Sequence, residues 1–356
     1  MSCSIASAFI LECIYYYDDF KNIYKTRYEA ILSKNHCWFY WHDNELDKVN
    51  WGLEPKQPLS ELYRERAEWI RSNYEYIILA YSGGIDSLNV LETFYYNNIH
   101  IDEILCVGAL SQPYYEGTDK NTCEDLYLNA FPTLNKFSLP NTKITVDDYT
   151  DYFNNINNFE ILKKYGNEWY KDIGSYYSIT HYYWNNLKNK YRDKQVGIIF
   201  GTDKPYVFTI NNKLYTQFND RQMFDYGNIS YTGNFQRVNF YTSPNSFELI
   251  KKQLHTIINF QKQYNKKNNI IDIKYLNDDR VVKKLIYGNL KNFLSYQVQK
   301  SKSNILSVRD MFILMKTNSD IYKIYRDGLK HFQNSVKVDI KNTGFFKTKS
   351  YYICDL

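Results

Sequence analysis

The chain has 356 residues and a formal net charge of +5, and 44% of its residues are hydrophobic. This length and balance are typical of a globular protein with one large domain or a few smaller ones, and they exclude an intrinsically disordered chain. The mild positive charge alone does not indicate nucleic-acid binding. No run of about 18 apolar residues predicts a membrane span, so we expect no membrane contact.

The aromatic fraction is unusually high, at 18%, with 37 tyrosines. An AT-rich genome, such as that of a phage or another virus, would produce this bias, and we favour that interpretation over a base-stacking surface. The six cysteines include no CxxC pair, which argues against a zinc knuckle, a redox dithiol or a disulfide framework. We therefore expect reduced thiols in a cytoplasm, that of the host if the source is viral.

The amino-terminal part, residues 1–65, predicts a helical and irregular segment, because its first apolar residues have helical spacing. The aromatic run 36–42 predicts a short strand inside it. We interpret the two histidines of that run as packing residues rather than metal ligands. Residues 59–72 predict an amphipathic helix that leads into the next region.

The most regular pattern begins with residues 76–80, a short apolar run that predicts a strand buried on both faces. A turn at 82–84 leads into a helix predicted from Asp86 to about Tyr96. Residues 103–110 predict a second buried strand. Such a strand–turn–helix–strand unit implies a right-handed crossover between parallel strands.

The later part of the chain predicts more strands and then helices. Residues 142–146 and 196–200 predict two further strands, and residues 207–215 predict a hairpin that turns at Asn211-Asn212. The pattern from residue 246 onward is mainly helical.

These elements predict an α/β protein with a Rossmann-like parallel sheet of about five strands and helices on both faces. We assign the α/β domain to residues 66–245 and a mainly helical region to residues 246–356, after the segment 1–65. We expect the carboxyl-terminal helices to cover one edge of the sheet and to form part of a substrate pocket.

The turn after the first buried strand has the residues of a phosphate site: Ser82, Gly83, Gly84, Asp86 and Ser87. Glycines let the backbone approach a phosphate, and a helix start presents free N–H groups and the positive end of its dipole. The serines add hydroxyl donors. An aspartate beside phosphate predicts a bridging Mg²⁺, so these residues indicate ATP with Mg²⁺. The alternative is a tight turn with Asp86 as N-cap and no ligand.

A second candidate cluster, residues 201–205, follows the buried strand 196–200 and should lie at the carboxyl edge of the same sheet, where open α/β folds bind ligands. Asp203 is a candidate Mg²⁺ ligand. Lys204 is a candidate for neutralising charge as pyrophosphate leaves. The alternative is a loop with a solvated Asp-Lys pair.

The sequence Ser82-Gly83-Gly84-Ile85-Asp86-Ser87 is neither a Walker A loop nor a dinucleotide GxGxxG motif. It resembles the SGGxDS motif of the PP-loop superfamily, the ATP pyrophosphatases or adenine nucleotide α-hydrolases, at every fixed position. The resemblance covers residues 74–110 and, more loosely, extends to 245. It implies the Rossmann-like fold of that superfamily, with the motif residues holding pyrophosphate and magnesium. It also implies that Val107, Gly108 and Ala109 hold adenine.

The resemblance implies an AMP-forming ligase or synthetase, similar to asparagine synthase, that adenylates a carboxylate or carbonyl acceptor for amide or related bond formation. Only about 75 residues precede the first strand of the predicted sheet, against about 100–200 for a domain, so we expect no glutaminase domain. Two alternatives stay open: an enzyme that modifies a tRNA or DNA base, and a nucleotide-binding module without catalysis. The oligomeric state is also open, a dimer included.

Overall fold

The computed structural model describes residues 14–25, 27–108, 126–148, 187–201, 204–220, 234–269, 279–287 and 346–356, and the single residues 273, 276, 323 and 327. Its strands are β1 (Ile14–Asp18), β2 (Ile23–Tyr24), β3 (Cys37–Trp41), β4 (Tyr76–Ala80), β5 (Glu103–Gly108), β6 (Lys143–Asp148), β7 (Val196–Phe200), β8 (Val207–Ile210), β9 (Lys213–Thr216), β10 (Phe235–Asn239) and β11 (Tyr351–Asp355). Its α-helices are α1 (Arg27–Ser33), α2 (Asp43–Leu46), α3 (Leu59–Asn73), α4 (Ile85–Tyr96), α5 (Phe131–Leu134), α6 (Phe247–Asn268) and α7 (Asp279–Tyr287), and a π-helical turn spans Leu126–Ala130.

The centre of the protein is a five-stranded sheet with the order β10-β7-β4-β5-β6, in which every neighbouring pair is parallel. Strand β7 is buried at all five of its residues, as expected for a strand covered on both faces. The predicted α/β class with a Rossmann-like sheet of about five parallel strands is confirmed. Strand β10 has the polar sequence FQRVN and was not predicted, because it lacks an apolar run.

The order of the strands creates a switch point beside β4. The chain passes from β4 to β5 and β6 on one side, then returns to the other side of β4 to form β7 and β10. The connections after β4 and β7 therefore depart in opposite directions at the carboxyl edge. Open α/β sheets bind ligands in the crevice that such a reversal leaves.

Helices α3 and α4 pack on the same face of the sheet, since the rings of Tyr63 and Phe94 both contact Phe240, at 5.8 and 6.5 Å between centroids. On the opposite face, Tyr191 stacks against Tyr76 and Phe235 at 5.7 and 6.2 Å. Between the third and fourth strands of the sheet, residues 149–186 lie outside the described residues.

The carboxyl-terminal part contains the long helix α6, which packs against α3 and α7. It also contains strand β11, which pairs antiparallel with β9. That strand departs from the mainly helical pattern expected after residue 246. Its alternating burial, with Tyr351 and Ile353 buried and Tyr352 exposed, is typical of a half-buried strand.

The amino-terminal part differs from the helical and irregular segment expected there. Strands β1 and β3 pair antiparallel, with β2 on the outer side of β1. Tyr16, Phe39 and Trp41 are buried on one face of this sheet. Alternating aromatic residues suit a half-buried strand better than a helix, and the short strand expected in residues 36–42 is confirmed.

The predicted hairpin is also confirmed, as β8 and β9 pair antiparallel around Asn211 and Asn212. Both asparagines have positive φ, 49° and 60°, the conformation of a two-residue type I′ turn. Among the helices that the structure describes, none combines the length and the apolar character that crossing a bilayer requires.

Candidate functional site

The turn after β4 uses its two glycines for different purposes. Gly83 has φ +76°, and a Cβ there would lie 2.5 Å from the backbone nitrogen of Ala130, so only glycine fits. Gly84 has an ordinary extended conformation, φ −74° and ψ 157°. Among the described residues, a Cβ on Gly84 would meet only the Ser82 hydroxyl, at 3.3 Å. Gly83 is therefore needed for close packing against Ala130, whereas Gly84 leaves the front of the turn accessible with respect to the described residues.

Helix α4 starts directly in this turn. Gly84 is its N-cap and makes no side-chain capping bond, and Asp86 lies inside the first helical turn. The alternative in which Asp86 caps the helix is therefore wrong. The Ser87 hydroxyl donates to the Gly84 carbonyl at 3.0 Å and lies 3.4 Å from the Ser82 hydroxyl. The predicted serines and glycines thus surround the amino end of α4, where the helix dipole is positive.

Asp86 is the centre of a charged cluster. Its Oδ1 lies 3.0 Å from Lys204 Nζ and accepts a hydrogen bond of 2.7 Å from the Tyr287 hydroxyl. Its Oδ2 lies 3.3 Å from Lys283 Nζ. The side chain of Lys204 is only 10% exposed, so its ammonium group is largely shielded from water. Two cations and one carboxylate thus meet at the start of α4.

Asp86 is held as a carboxylate in this setting. Burial by itself raises the pKa of its carboxyl group, but the charges of Lys204 and Lys283 and the bond from Tyr287 outweigh burial, and the pKa is lowered from its usual value. Burial raises the pKa of the Tyr241 and Tyr287 hydroxyls well above the ordinary value for tyrosine. Both tyrosines are therefore neutral donors.

Tyr241, which follows β10, fixes the first turn of α4 to the sheet. Its hydroxyl donates to the Asp86 carbonyl at 2.7 Å and accepts from the Asn89 amide at 2.8 Å. Its own carbonyl accepts from Gln253 at 3.0 Å, and its ring lies 5.5 Å from that of Tyr287. The backbone of Asp86 is therefore held independently of its carboxylate.

The loop after β7 lies against the same helix turn, as the sequence predicts for residues 201–205. A Cβ on Gly201 would lie 2.8 Å from the carbonyl carbon and oxygen of Asp86 and from the Ser87 nitrogen. Glycine thus allows the end of β7 to approach α4 closely enough for Lys204 to reach Asp86. Asp203, the other residue proposed from this cluster, lies outside the described residues.

The residues predicted to hold adenine lie at the same edge of the sheet. Val107 and Gly108 end β5, the neighbour of β4, and Gly108 is buried. Ala109 lies outside the described residues. The structure therefore places the predicted site residues that it describes at the carboxyl edge of β4, β5 and β7.

The donor set can be compared with what Mg²⁺ requires. Asp86, Ser82 and Ser87 offer hard oxygen atoms, which suit Mg²⁺. Among the described residues, however, no group of three carboxylate, histidine or cysteine side chains converges on a metal position. Mg²⁺ is commonly bound through one or two carboxylates together with substrate phosphates. The residues fit a metal–phosphate complex better than a free ion.

Three contributors to the site were not predicted: Tyr241, Lys283 and Tyr287. Lys283 and Tyr287 are four positions apart on α7 and so share one helix face. They lie beside Val282 and Ile286, which are buried. That apolar pair is the signal that α7 packs on the body of the protein, but nothing in the sequence indicates which partner it meets.

No protein-family model matches this chain, and no curated protein matches it either. The functional assignment therefore depends on the residues and the geometry of the site, and the resemblance to the PP-loop superfamily remains a prediction.

Proposed function

We propose that the protein binds ATP in the turn between β4 and α4, cleaves it between the α- and β-phosphates, and transfers AMP to a carboxylate or carbonyl acceptor. One observation carries this proposal. The SGGxDS turn opens a helix at the switch point of a parallel sheet, and Lys204 from the loop after the neighbouring strand β7 reaches Asp86 there at 3.0 Å. The two segments chosen from the sequence are thus neighbours at the expected ligand crevice.

The turn has the features of a polyphosphate site. In the part of the chain that the structure describes, Gly84 leaves space in front of the first turn of α4. The helix start supplies a positive dipole end without a capping side chain. Lys204 and Lys283 bring two ammonium groups to the same place. These groups favour a ligand with several negative charges over a neutral one.

The reaction requires charge stabilisation more than covalent chemistry from the protein. An acceptor oxygen attacks the α-phosphorus, the bond from the α-phosphorus to the bridging oxygen breaks, and pyrophosphate leaves with that electron pair. Lys204 is placed to stabilise the charge that develops on the leaving group. When bound, Mg²⁺ supplies further neutralisation of the phosphates. Ammonia or a small amine then displaces AMP from the activated acceptor.

The acceptor is a carboxylate or carbonyl compound in this proposal, as in asparagine synthase-like enzymes. Helix α7 reaches the site through Lys283 and Tyr287, which supports the expectation that the carboxyl-terminal part contributes to the acceptor pocket. Stimulation of ATP turnover by tRNA, but not by amino acids, would instead select a base-modifying enzyme. Binding without turnover across broad acceptor pools would select a non-catalytic nucleotide module.

The binding step is tested by calorimetric titration of the full chain with α,β-methylene-ATP and Mg²⁺. This analogue cannot be cleaved at the bond in question. We expect saturable binding by the wild type and binding at least about tenfold weaker in Lys204→Met, a loss of about 1.4 kcal/mol. Equal affinity for ATP analogue and for adenosine would contradict a phosphate site, and absence of binding would overturn the proposal.

A further inference from the structure

We propose that Asp86 is a guarded metal ligand, closed to a free divalent cation and opened only when the cation arrives with a polyphosphate. This inference rests on the proposed function and deepens it, since it specifies that the site takes the metal–polyphosphate complex as a unit. It starts from the finding that both oxygens of the Asp86 carboxylate are engaged by this chain's own side chains.

The two oxygens of Asp86 are held in different ways. Oδ1 accepts the short bond from the buried Tyr287 hydroxyl and pairs with Lys204. Oδ2 forms an ion pair with Lys283, and this is its one ion pair among the described residues. Lys283 is 25% exposed, against 10% for Lys204. Oδ2 is thus the oxygen that a ligand reaches by displacing a single, more accessible side chain.

A free divalent cation meets an unfavourable charge at this position. It must approach a carboxylate whose oxygens already have ammonium groups at 3.0 and 3.3 Å. A cation bound to that carboxylate would lie close to both ammonium groups, and like charges that are close together repel strongly in a partly buried site. Among the described residues, no group of three carboxylate, histidine or cysteine side chains converges on a metal position here. One neutralised carboxylate is a poor site for an ion that loses its water reluctantly.

A polyphosphate reverses this balance. Its negative charges attract both ammonium groups, and a lysine can follow a new partner because its charge lies on a flexible four-carbon stem. Movement of Lys283 toward the phosphate frees Oδ2. Asp86 Oδ2 would then be available as the one carboxylate ligand from the protein to the accompanying cation, which takes its other ligands from phosphate and water. Tyr287 continues to hold Oδ1, so the carboxylate keeps its orientation.

Helix α7, which carries Lys283, also supplies a control residue. Lys284 follows Lys283 directly on α7 but is exposed. Lys283→Met and Lys284→Met therefore remove the same charge from the same helix, and only the first removes an ion pair of Asp86. Thermal melts of the two variants establish whether both are folded.

The test uses Mn²⁺ as the probe and electron paramagnetic resonance to count the free ion in the presence of the full-length protein. In the wild type we expect no saturable binding of Mn²⁺ alone. With α,β-methylene-ATP present, and after subtraction of the Mn²⁺ that the analogue binds without protein, we expect binding tighter by at least about tenfold, a typical coupling between two ligands. Lys283→Met should bind Mn²⁺ alone more tightly than the wild type by a similar factor. Lys284→Met should behave as the wild type.

The block of Asp86 by Lys283 and the proposed function are contradicted by different results. If the wild type binds Mn²⁺ equally well with and without the analogue, while the analogue itself binds, the block by Lys283 is overturned and the nucleotide site stands. The same holds if Lys283→Met and Lys284→Met bind Mn²⁺ alike. If neither the analogue nor pyrophosphate binds with or without Mn²⁺, the proposed function is overturned, and the proposed block of Asp86 by Lys283 is overturned with it.

Discussion

The hydroxyl of Tyr287 donates a hydrogen bond of 2.7 Å to Oδ1 of Asp86, although the two residues are 201 positions apart in the chain. Tyr287 is fully buried, whereas the Asp86 side chain is 27% exposed, so the bond is partly shielded from water. It joins α7 to the first turn of α4. The candidate site is therefore built jointly by the α/β sheet and by a helix from the carboxyl-terminal part.

Removal of that hydroxyl should destabilise the fold. Tyr287→Phe leaves the buried ring in place but deletes a hydrogen bond to a charged group, a loss of about 1.5–3 kcal/mol. Urea denaturation measures the change in the free energy of unfolding. Tyr352→Phe is the control, because Tyr352 is 47% exposed and its loss should stay within about 0.5 kcal/mol. Equal stability of the two variants would show that the bond to Asp86 contributes nothing.

The two glycines of the turn should respond differently to alanine. Gly83→Ala forces a side chain into a positive φ and against the backbone of Ala130, which should cost about 2–4 kcal/mol of folding free energy. Gly84→Ala should leave the unfolding free energy within about 1 kcal/mol of the wild type. It should nevertheless weaken binding of α,β-methylene-ATP, because its methyl group enters the space reserved for phosphate. Calorimetry and thermal melts on both variants separate the effects, and normal binding by Gly84→Ala would place the phosphate elsewhere.

The ion pair between Asp86 and Lys204 should show energetic coupling. Asp86→Asn and Lys204→Met each leave a partly buried group without its charged partner, whereas the double variant removes both charges. We expect the loss in the free energy of unfolding of the double variant to be smaller than the sum of the two single losses, by about 0.5–3 kcal/mol. Urea denaturation of the four proteins gives this value. Strict additivity would mean that the observed distance of 3.0 Å carries no interaction in solution.

Glu92 should make stability depend on pH. Its side chain lies within α4 and is 5% exposed, and burial raises the pKa of its carboxyl to about 7. A raised pKa means that the folded state favours the neutral acid, so this contribution is complete below the ordinary pKa of 4.5 and is lost as the pH rises to about 7. Glu92→Gln, which stays neutral, should therefore match the wild type near pH 4. Near pH 8 it should be more stable by about 3 kcal/mol, at roughly 1.4 kcal/mol per pKa unit.

Thermal melts of Glu92→Gln and the wild type at the two pH values give the comparison. A difference in melting temperature that is the same at both pH values would show that Glu92 does not titrate between them.

The sequence could predict the central sheet and the pairing of two loops because these depend on short-range patterns. Apolar runs identify strands such as 76–80 and 196–200, and parallel strands bring their following loops to one edge. That rule predicts the segments of Asp86 and Lys204 at the same edge of the sheet, and the structure shows their side chains 3.0 Å apart. The chemical role of the pair remains a prediction.

The remaining features depend on contacts between distant parts of the chain. Strand β10 contains Gln236, Arg237 and Asn239, and it is recognisable as a strand only through its pairing with β7. Lys283 looks like an ordinary helix-surface lysine until α7 packs beside α4. The tyrosine-rich strand β1 falls in the segment predicted as helical and irregular, and its pairing with β3 is what decides its structure.

The most direct test of the central claim follows the α-phosphate of ATP. The full chain is incubated with ATP labelled on the α-phosphate, Mg²⁺ and a nucleotide-depleted cell extract as the source of acceptors, and the labelled products are separated. The account predicts labelled AMP or an AMP–acceptor adduct with the wild type, and neither with folded Asp86→Asn. Labelled ADP as the wild-type product would contradict cleavage between the α- and β-phosphates.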